Sequence, residues 1–152
     1  MLLISGTGKP VFSKFDPSLL NNPEFKEDSV REVIITPILS RLGYTPSGSI
    51  RVVRSKTLVH PFIYVGTRKL PVSLVPDYTL LSGDKALCVL DAKSPHEDIL
   101  SRQHVQQTYS YAIHPEIKCI NFALCNGKHL AVFSVDDPKP LLVLAFHELE
   151  AR

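Results

Sequence analysis

Two aspartates bracket the most distinctive segment of the sequence, PDYTLLSGDKALCVLDAKSP. Asp77 opens it and Asp91 comes near its end, and the turn signal SGDK separates the two apolar runs between them. The segment predicts a hairpin whose pairing would bring Asp77 and Asp91 to neighbouring positions at one end of a sheet. Two adjacent carboxylates repel each other, and a hard divalent cation such as Mg²⁺ removes that cost by binding their oxygens. The spacing therefore favours a metal site at this end of the hairpin.

A lysine completes this pattern. Lys93 shares a face with Asp91, because alternate residues of a strand point to the same side. Its ammonium would orient a water or stabilise negative charge that develops on a phosphate. The alternative is that Asp77 caps a turn while Asp91 and Lys93 form a surface ion pair without a reaction, and the D-x-K triplet alone favours this alternative. Because a surface ion pair contributes only ~0–1 kcal/mol, we expect Lys93→Ala to leave the melting temperature nearly unchanged.

A glutamate near the start of a predicted helix adds to the candidate site. Residues 26–42 carry apolar side chains at helical spacing, and Gly43 follows as a C-cap. Glu27 falls on the apolar stripe, whereas Glu32 falls outside it. A glutamate on a core-facing stripe is usually paired or metal-bound, although the helix dipole also favours an acid in the first turn. Pro37 in the middle predicts a kink or a split into two helices.

A second predicted helix, residues 96–113, carries a polar stripe. Gln103, Gln107 and Tyr111 are spaced four residues apart, so they stack on one helical face. Amides in this arrangement would hydrogen-bond to a catalytic site or to nucleic acid. The alternative, amides that satisfy buried backbone groups, remains equally open.

The other apolar runs predict the rest of the architecture. RVVR, TLVHPFIYV and LPVSLV lie between residues 50 and 75, and KCINFALC and HLAVFSV flank the turn signal NGK. The last run, LLVLAFHEL, fits either a strand or a short helix. Residues 1–24 are interrupted by prolines and are expected to be irregular. The order of elements predicts an α/β domain with a mixed central β-sheet flanked by α-helices.

Composition limits the class of protein. A length of 152 residues with 44% hydrophobic content predicts a single domain over residues 1–152. Cys88, Cys119 and Cys125 lie in apolar runs without a CxxC pair, which favours free thiols in a reducing compartment. No apolar run approaches the ~18 residues of a membrane span, and the N-terminus lacks the pattern of a signal peptide. We therefore expect a cytoplasmic protein without a membrane partner.

Positive charge is concentrated in one segment. The net charge is only +2, yet residues 45–75 contain no acidic residue. This segment is predicted to form a basic β-hairpin insertion that neutralises nucleic-acid phosphates without reading sequence. An ordinary solvated hairpin is the alternative. The candidate nucleic-acid contacts in the segment are Arg51, Arg54, Lys56, Arg68 and Lys69.

Five stretches in order, EDSVREVIITPILSRLGY, PDYTLL, LCVLDAKSP, QTYSYA and FALCNGKHLAVFS, together resemble a known family. They are similar to the N-terminal nuclease domain of the restriction (R) subunit of type I restriction-modification enzymes, which belongs to the PD-(D/E)xK nuclease superfamily. The resemblance covers residues 25–134. It implies a restriction-endonuclease-like core and hydrolysis of DNA phosphodiester bonds with Mg²⁺, for which Mn²⁺ can substitute. It also implies motor, methylation and specificity subunits as partners.

The resemblance assigns roles by position. The family's metal-binding aspartate after proline matches Asp77, and its acid-x-lysine triplet matches Asp91 and Lys93, with Asp where the family more often has Glu. Its glutamine–tyrosine motif matches Gln107 and Tyr111. Its helix glutamate, followed by arginine, matches Glu27 and Arg31. The resemblance thus implies metal binding by Asp77, Asp91 and Glu27, with catalytic roles for these three and for Lys93, Gln107 and Tyr111. Gln103, beside this motif, is a candidate DNA contact.

Two departures from the family bear on function. The family's subunit continues into an ATP-driven motor that this sequence does not contain, and the segment 45–75 is long for a plain nuclease core. The chain is therefore either a domain excised from a larger protein or a stand-alone relative of the family. A catalytically inactive nuclease-fold module that binds DNA or a protein partner is the alternative to an active nuclease. A nuclease acting on RNA is a third, weaker reading.

Overall fold

The described part of the chain in this computed structural model is residues 9–151, without the side chains of residues 59–63 and 71–73. Residues 1–8 of the predicted irregular segment lie outside this range. The remainder of that segment includes a short 3₁₀ helix, Pro17–Asn21, whose start is capped by the Asp16 carboxylate accepting from the Ser18 N–H at 2.9 Å. Within residues 9–151, no helix is long and apolar enough to cross a membrane.

Eight strands form two sheets. In chain order they are β1 (Ile50–Arg54), β2 (Leu58–Val65), β3 (Arg68–Leu74), β4 (Tyr78–Ser82), β5 (Lys85–Ala92), β6 (Asn121–Cys125), β7 (His129–Ser134) and β8 (Pro140–Ala145). A six-stranded sheet has the order β1-β4-β5-β6-β7-β8, and β2 and β3 form a separate antiparallel pair. The β5–β6 pair is parallel and the other neighbours in the large sheet are antiparallel. The central sheet is therefore mixed, in agreement with the predicted architecture.

The hairpin that was predicted as an insertion over residues 45–75 includes fewer residues in the structure. Of residues 45–75, only β2 and β3 stand apart as a hairpin, and Leu58, which is fully buried, anchors the start of this hairpin in the core. Strand β1 instead pairs with β4 along its whole length and forms one edge of the central sheet.

The PDYTLL–ALCVLDA hairpin has the expected form. Strands β4 and β5 pair antiparallel, with Tyr78 opposite Leu90. Gly83 in the turn has φ +58°, a left-handed conformation that glycine adopts without strain. Because Asp77 precedes Tyr78 and Asp91 follows Leu90, this register places both aspartates at the same end of the sheet.

The first predicted helix forms with an unusual middle. It consists of α1 (Glu27–Ser29), a π-helical segment (Val30–Ile35) and α2 (Thr36–Arg41), which follow one another without interruption. The Thr36 N–H donates to the Arg31 carbonyl, a five-residue step typical of a π turn. The widened turn immediately precedes Pro37, which lacks an N–H for the regular ladder. The predicted kink or split is thus a π-helical segment within the helix. Gly43, with φ +88°, lies just after the end of α2, as the predicted C-cap requires.

The second predicted helix begins later than expected. Helix α3 spans Arg102–Ala112, whereas the sequence pattern placed its start at residue 96. Ser101 is the N-cap, because its side chain accepts from the His104 N–H, and Asp98 turns the preceding chain by accepting from the Leu100 N–H at 2.9 Å. These local side-chain hydrogen bonds compete with a helical turn, so the predicted start was wrong. The last apolar run is both a strand and a helix, since β8 leads directly into α4 (Phe146–Glu150).

The core lies on both faces of the large sheet. Val30, Ile34 and Ile35 of the π segment pack on one face together with residues of α4. Ile99, Tyr111 and Ala112 pack on the other face together with large side chains of β6 and β7. Strand β5 therefore contributes Leu90 and Ala92 to the first core and Val89 to the second, as its alternating side chains require.

Candidate active site

The two aspartates meet at the end of the β4–β5 hairpin. The Asp77 N–H lies 3.4 Å from Asp91 Oδ1, and the Ala92 N–H donates to Asp77 Oδ2 at 2.7 Å. Asp91 is 4% exposed, and the Asp77 side chain is 11% exposed. The structure thus brings together two largely buried carboxylates that the hairpin pattern predicted to be neighbours.

Burial and mutual repulsion dominate the electrostatics of this pair. The pKa of Asp77 is raised to about 7, first by burial and then by the negative charge of Asp91. The Ala92 N–H and the Arg31 guanidinium act in the opposite direction but do not offset these two effects. Near neutral pH the Asp77 carboxyl is therefore balanced between its protonated and ionised forms, and a further cation would favour the ionised one.

Lys93 lies against Asp91 on the side of helix α3. Its ammonium donates to Asp91 Oδ2 at 2.8 Å and to Gln107 Oε1 at 3.2 Å. Burial lowers the pKa of Lys93, but the hydrogen bond and charge of Asp91, with the charges of Glu27 and Asp77, outweigh it and raise the pKa overall. The ammonium therefore stays protonated at neutral pH and acts as a donor and a positive charge, not as a base.

The burial of this lysine corrects an expectation from the sequence. Lys93 is 8% exposed, so Asp91 and Lys93 form a buried ion pair and not a surface one. Removing one partner of a buried pair leaves the other charge uncompensated, which typically costs about 3–5 kcal/mol. The premise of a surface ion pair is therefore wrong, and we now expect Lys93→Ala to lower the melting temperature.

Helix α3 extends the site through one amide. Gln107 accepts from Lys93 through Oε1 and donates to the Tyr111 hydroxyl through Nε2, at 3.1 Å. Tyr111 is buried, and burial together with the charge of Asp91 raises the pKa of its hydroxyl, which stays protonated. Gln103 lies one turn earlier on α3 at an exposed position, outside this chain of hydrogen bonds.

Glu27 reaches the site through an arginine. Arg31 Nη2 donates to Glu27 Oε1 at 2.6 Å and to Asp77 Oδ1 at 2.5 Å. The Glu27 side chain is 39% exposed, and Glu32 is exposed on another face of the helix. The structure thus gathers Glu27 with the aspartates, but with a guanidinium between Glu27 and Asp77. Reasoning from residue types gave Arg31 no role, although its i+4 spacing from Glu27 was a usable signal.

Two of the three predicted metal ligands are placed to bind a hard divalent cation. Asp77 and Asp91 offer adjacent carboxylate oxygens, and the pKa of Asp77 is raised by burial first and by the negative charge of Asp91 second. Across residues 9–151, however, no group of three or more His, Cys, Asp or Glu side chains is placed to hold a metal ion. The two aspartates are therefore the candidate ligands on geometric grounds, while Glu27 is occupied by Arg31.

The basic residues begin beside this site. Arg54 pairs with Tyr78 across β1 and β4, and its guanidinium lies over the Tyr78 ring, 5.4 Å from the centroid. The next residue, Ser55, donates its N–H to the Asp77 carbonyl at 2.9 Å. Arg51 pairs with the exposed Asp84 at 3.3 Å. Three more basic side chains are exposed farther along, namely Lys56, Arg68 and Lys69.

Comparison with known proteins adds one finding. No protein-family model and no curated protein matches the chain. Among solved structures, it is similar to "the fragment structure of a putative HsdR subunit of a type I restriction enzyme" from Vibrio vulnificus YJ016, with a TM-score of 0.58 and 22% sequence identity. This chain shares the fold of that fragment. The likeness covers 80% of this chain and 24% of the HsdR chain.

A pH-dependent stability follows from the buried aspartates. The folded state raises the pKa of Asp77 from 3.8 to about 7, so it binds a proton more tightly than the unfolded state does. This contribution destabilises the fold progressively as the pH rises from about 4 to about 7. Asp77→Asn removes this contribution, so the free energy of unfolding of the variant should rise relative to that of the parent by roughly 2–3 kcal/mol between about pH 5 and pH 8.

Urea unfolding at the two pH values, followed by circular dichroism, measures this gain. Asp84→Asn is the matched control, because Asp84 lies in the turn of the same hairpin and is fully exposed. Its difference from the parent should be nearly the same at both pH values. An equally flat response for Asp77→Asn would contradict the raised pKa.

Proposed function

We propose that this chain is a Mg²⁺-dependent endonuclease domain that hydrolyses DNA phosphodiester bonds, as in the R subunits of type I restriction enzymes. The observation that carries the proposal is the buried pair Asp77 and Asp91 with the Lys93 ammonium held against it. The shared fold with the HsdR fragment supports it. A surface ion pair with no function would not require three charged side chains to lose their hydration together.

In this proposal Asp77 and Asp91 hold the metal, and Glu27 assists through water. When bound, Mg²⁺ supplies Lewis-acid chemistry, which lowers the pKa of a water and polarises a phosphate oxygen. Lys93 remains protonated and donates to negative charge that develops on the phosphate. Because Gln107 accepts from Lys93, it directs the ammonium, and Tyr111 in turn holds Gln107 in place. The positions of Lys93, Gln107 and Tyr111 are set before substrate arrives, which lowers the reorganisation cost of the reaction.

The basic residues would hold the DNA. Arg54 and Lys56 lie where the chain leaves β1 beside Asp77, so a phosphate bound there would be close to the paired carboxylates. Arg51, Arg68, Lys69 and Gln103 are the further proposed contacts. Binding of this kind is independent of sequence and falls as salt rises. Since the likeness spans only 24% of the HsdR chain, motor, methylation and specificity subunits are proposed partners that would deliver and position DNA.

Location of the metal and a cleavage assay together test the proposal. Crystals soaked in Mn²⁺ should show an anomalous-scattering peak in contact with Asp77 and Asp91. The chain at high concentration should nick supercoiled plasmid with Mg²⁺ and not with EDTA, and it should do so slowly in the absence of partner subunits. DNA binding without a Mn²⁺ peak and without nicking would instead support an inactive nuclease-fold module. Brisk cleavage at one specific sequence would contradict the relation to type I enzymes.

A further inference from the structure

Arg31 occupies the position at which the acidic residues of the site converge. A single guanidinium nitrogen, Nη2, donates to both Glu27 Oε1 and Asp77 Oδ1. A second nitrogen, Nη1, lies 3.4 Å from the exposed carboxylate of Asp28. One monovalent cation is therefore shared between two of the carboxylates that the proposed function assigns to a divalent metal.

Arginine and metal would compete for the same oxygens. The Ala92 N–H donates to Asp77 Oδ2, whereas Asp77 Oδ1 accepts from the Arg31 side chain. Oδ1 is therefore the oxygen that a metal ion could bind without breaking a hydrogen bond to the backbone. A divalent ion on Oδ1 would stand within a few ångströms of the guanidinium, and like charges at that distance repel strongly in a half-buried site. Full coordination by Asp77 and Glu27 therefore requires that Arg31 move away.

Three features of Arg31 favour its movement toward an anion. Its Nε is buried and lacks a hydrogen-bond partner among the described residues, so the present pose leaves one donor unsatisfied. The side chain is 26% exposed, and it sits on the π segment that faces Asp77. A planar guanidinium with several donors matches a phosphate better than it matches two separate carboxylates. Arg54, one of the proposed phosphate contacts, lies opposite Tyr78, the residue that follows Asp77.

We propose that Arg31 is an internal counter-ion that holds Glu27 and Asp77 in the free protein and transfers to a nucleic-acid phosphate when substrate binds. Transfer releases both carboxylates to the divalent metal. Metal and substrate then bind cooperatively, because each one favours the state in which Arg31 has left the carboxylates. The free protein holds metal weakly, and this restricts cleavage to DNA that has been delivered to the site. The inference rests on the proposed function and adds the regulation of that same site.

Calorimetric titration of Mn²⁺ into the free protein tests the competition directly. At about pH 8.5, above the pKa of Asp77, Arg31→Met should bind Mn²⁺ about 10-fold more tightly than the parent. Arg31→Lys, which keeps the charge but loses the two-way donation, should fall between them. Arg41→Met is the matched control, because it removes the same charge and Arg41 lies on α2, away from the carboxylates. Its affinity should stay within about 2-fold of the parent. Circular dichroism confirms that each variant is folded.

A second titration includes a short DNA duplex with a non-hydrolysable backbone. The duplex should tighten Mn²⁺ binding by the parent and by Arg41→Met, and it should have little effect on Arg31→Met, in which the coupling is already lost. If Arg31→Met binds Mn²⁺ no more tightly than the parent while Asp91→Asn abolishes binding, the counter-ion role is wrong and the metal site stands. If neither the parent nor Arg31→Met binds Mn²⁺ at all, both the counter-ion role and the proposed function are wrong.

Discussion

Lys93→Ala should slow DNA cleavage by about 10²-fold or more, the usual cost of losing a positioned proton-transfer or charge-stabilising group. The ammonium is held by Asp91 and Gln107 on the side of the paired carboxylates, where it meets negative charge that develops on a phosphate. Cleavage under single-turnover conditions, with the partner subunits supplied, measures the effect. Metal affinity should be unchanged or higher, because a neighbouring positive charge is lost.

The same substitution should also destabilise the fold. Without Lys93, Asp91 is a buried carboxylate beside Asp77, and breaking a buried ion pair typically costs about 3–5 kcal/mol. Rates must therefore be compared at a temperature at which circular dichroism shows the variant to be folded. Lys85→Ala is the matched control, because Lys85 is exposed at the start of β5, the strand that Lys93 follows, and its rate and stability should resemble those of the parent. Normal cleavage by folded Lys93→Ala would exclude the lysine from the mechanism.

Asp91→Asn should abolish measurable Mg²⁺ binding and reduce cleavage by about 10³-fold or more, since the metal would lose a charged ligand and the chemistry that depends on it. The amide keeps the size of the side chain, so a loss of binding reports on charge and not on a cavity. The pKa of Asp77 should fall in this variant, because the charge of Asp91 is the second largest cause of its increase.

Calorimetry with Mg²⁺ and the plasmid-nicking assay measure the two effects of Asp91→Asn. Asp98→Asn is the control, because Asp98 is exposed in the loop before α3, and asparagine can still accept from the Leu100 N–H. Mg²⁺ affinity equal to that of the parent in Asp91→Asn would show that the paired aspartates are not the metal site. Loss of nicking with retained Mg²⁺ binding would assign Asp91 to the positioning of Lys93 alone.

Local patterns were sufficient to predict which residues of the candidate site lie close together. The β4–β5 hairpin follows from a glycine turn between two apolar runs, and hairpin pairing alone makes Asp77 and Asp91 neighbours. Helical spacing correctly separated Glu27, which contacts Arg31, from the exposed Glu32. The start of α3 was misplaced because Asp98 and Ser101 bond to nearby backbone groups, and a hydrophobic pattern does not register such competition.

The sequence by itself determined those features that depend on neighbours along the chain: the hairpins, the helical faces and the chemical types of the site residues. Only the tertiary structure decided that Lys93 is buried, that Arg31 reaches Asp77 from another element, and that β1 joins the central sheet. The parallel pairing of β5 with β6 likewise requires α3 to cross between them. These contacts join residues far apart in sequence, and their strength comes from burial and charge in the packed molecule, which no local periodicity encodes.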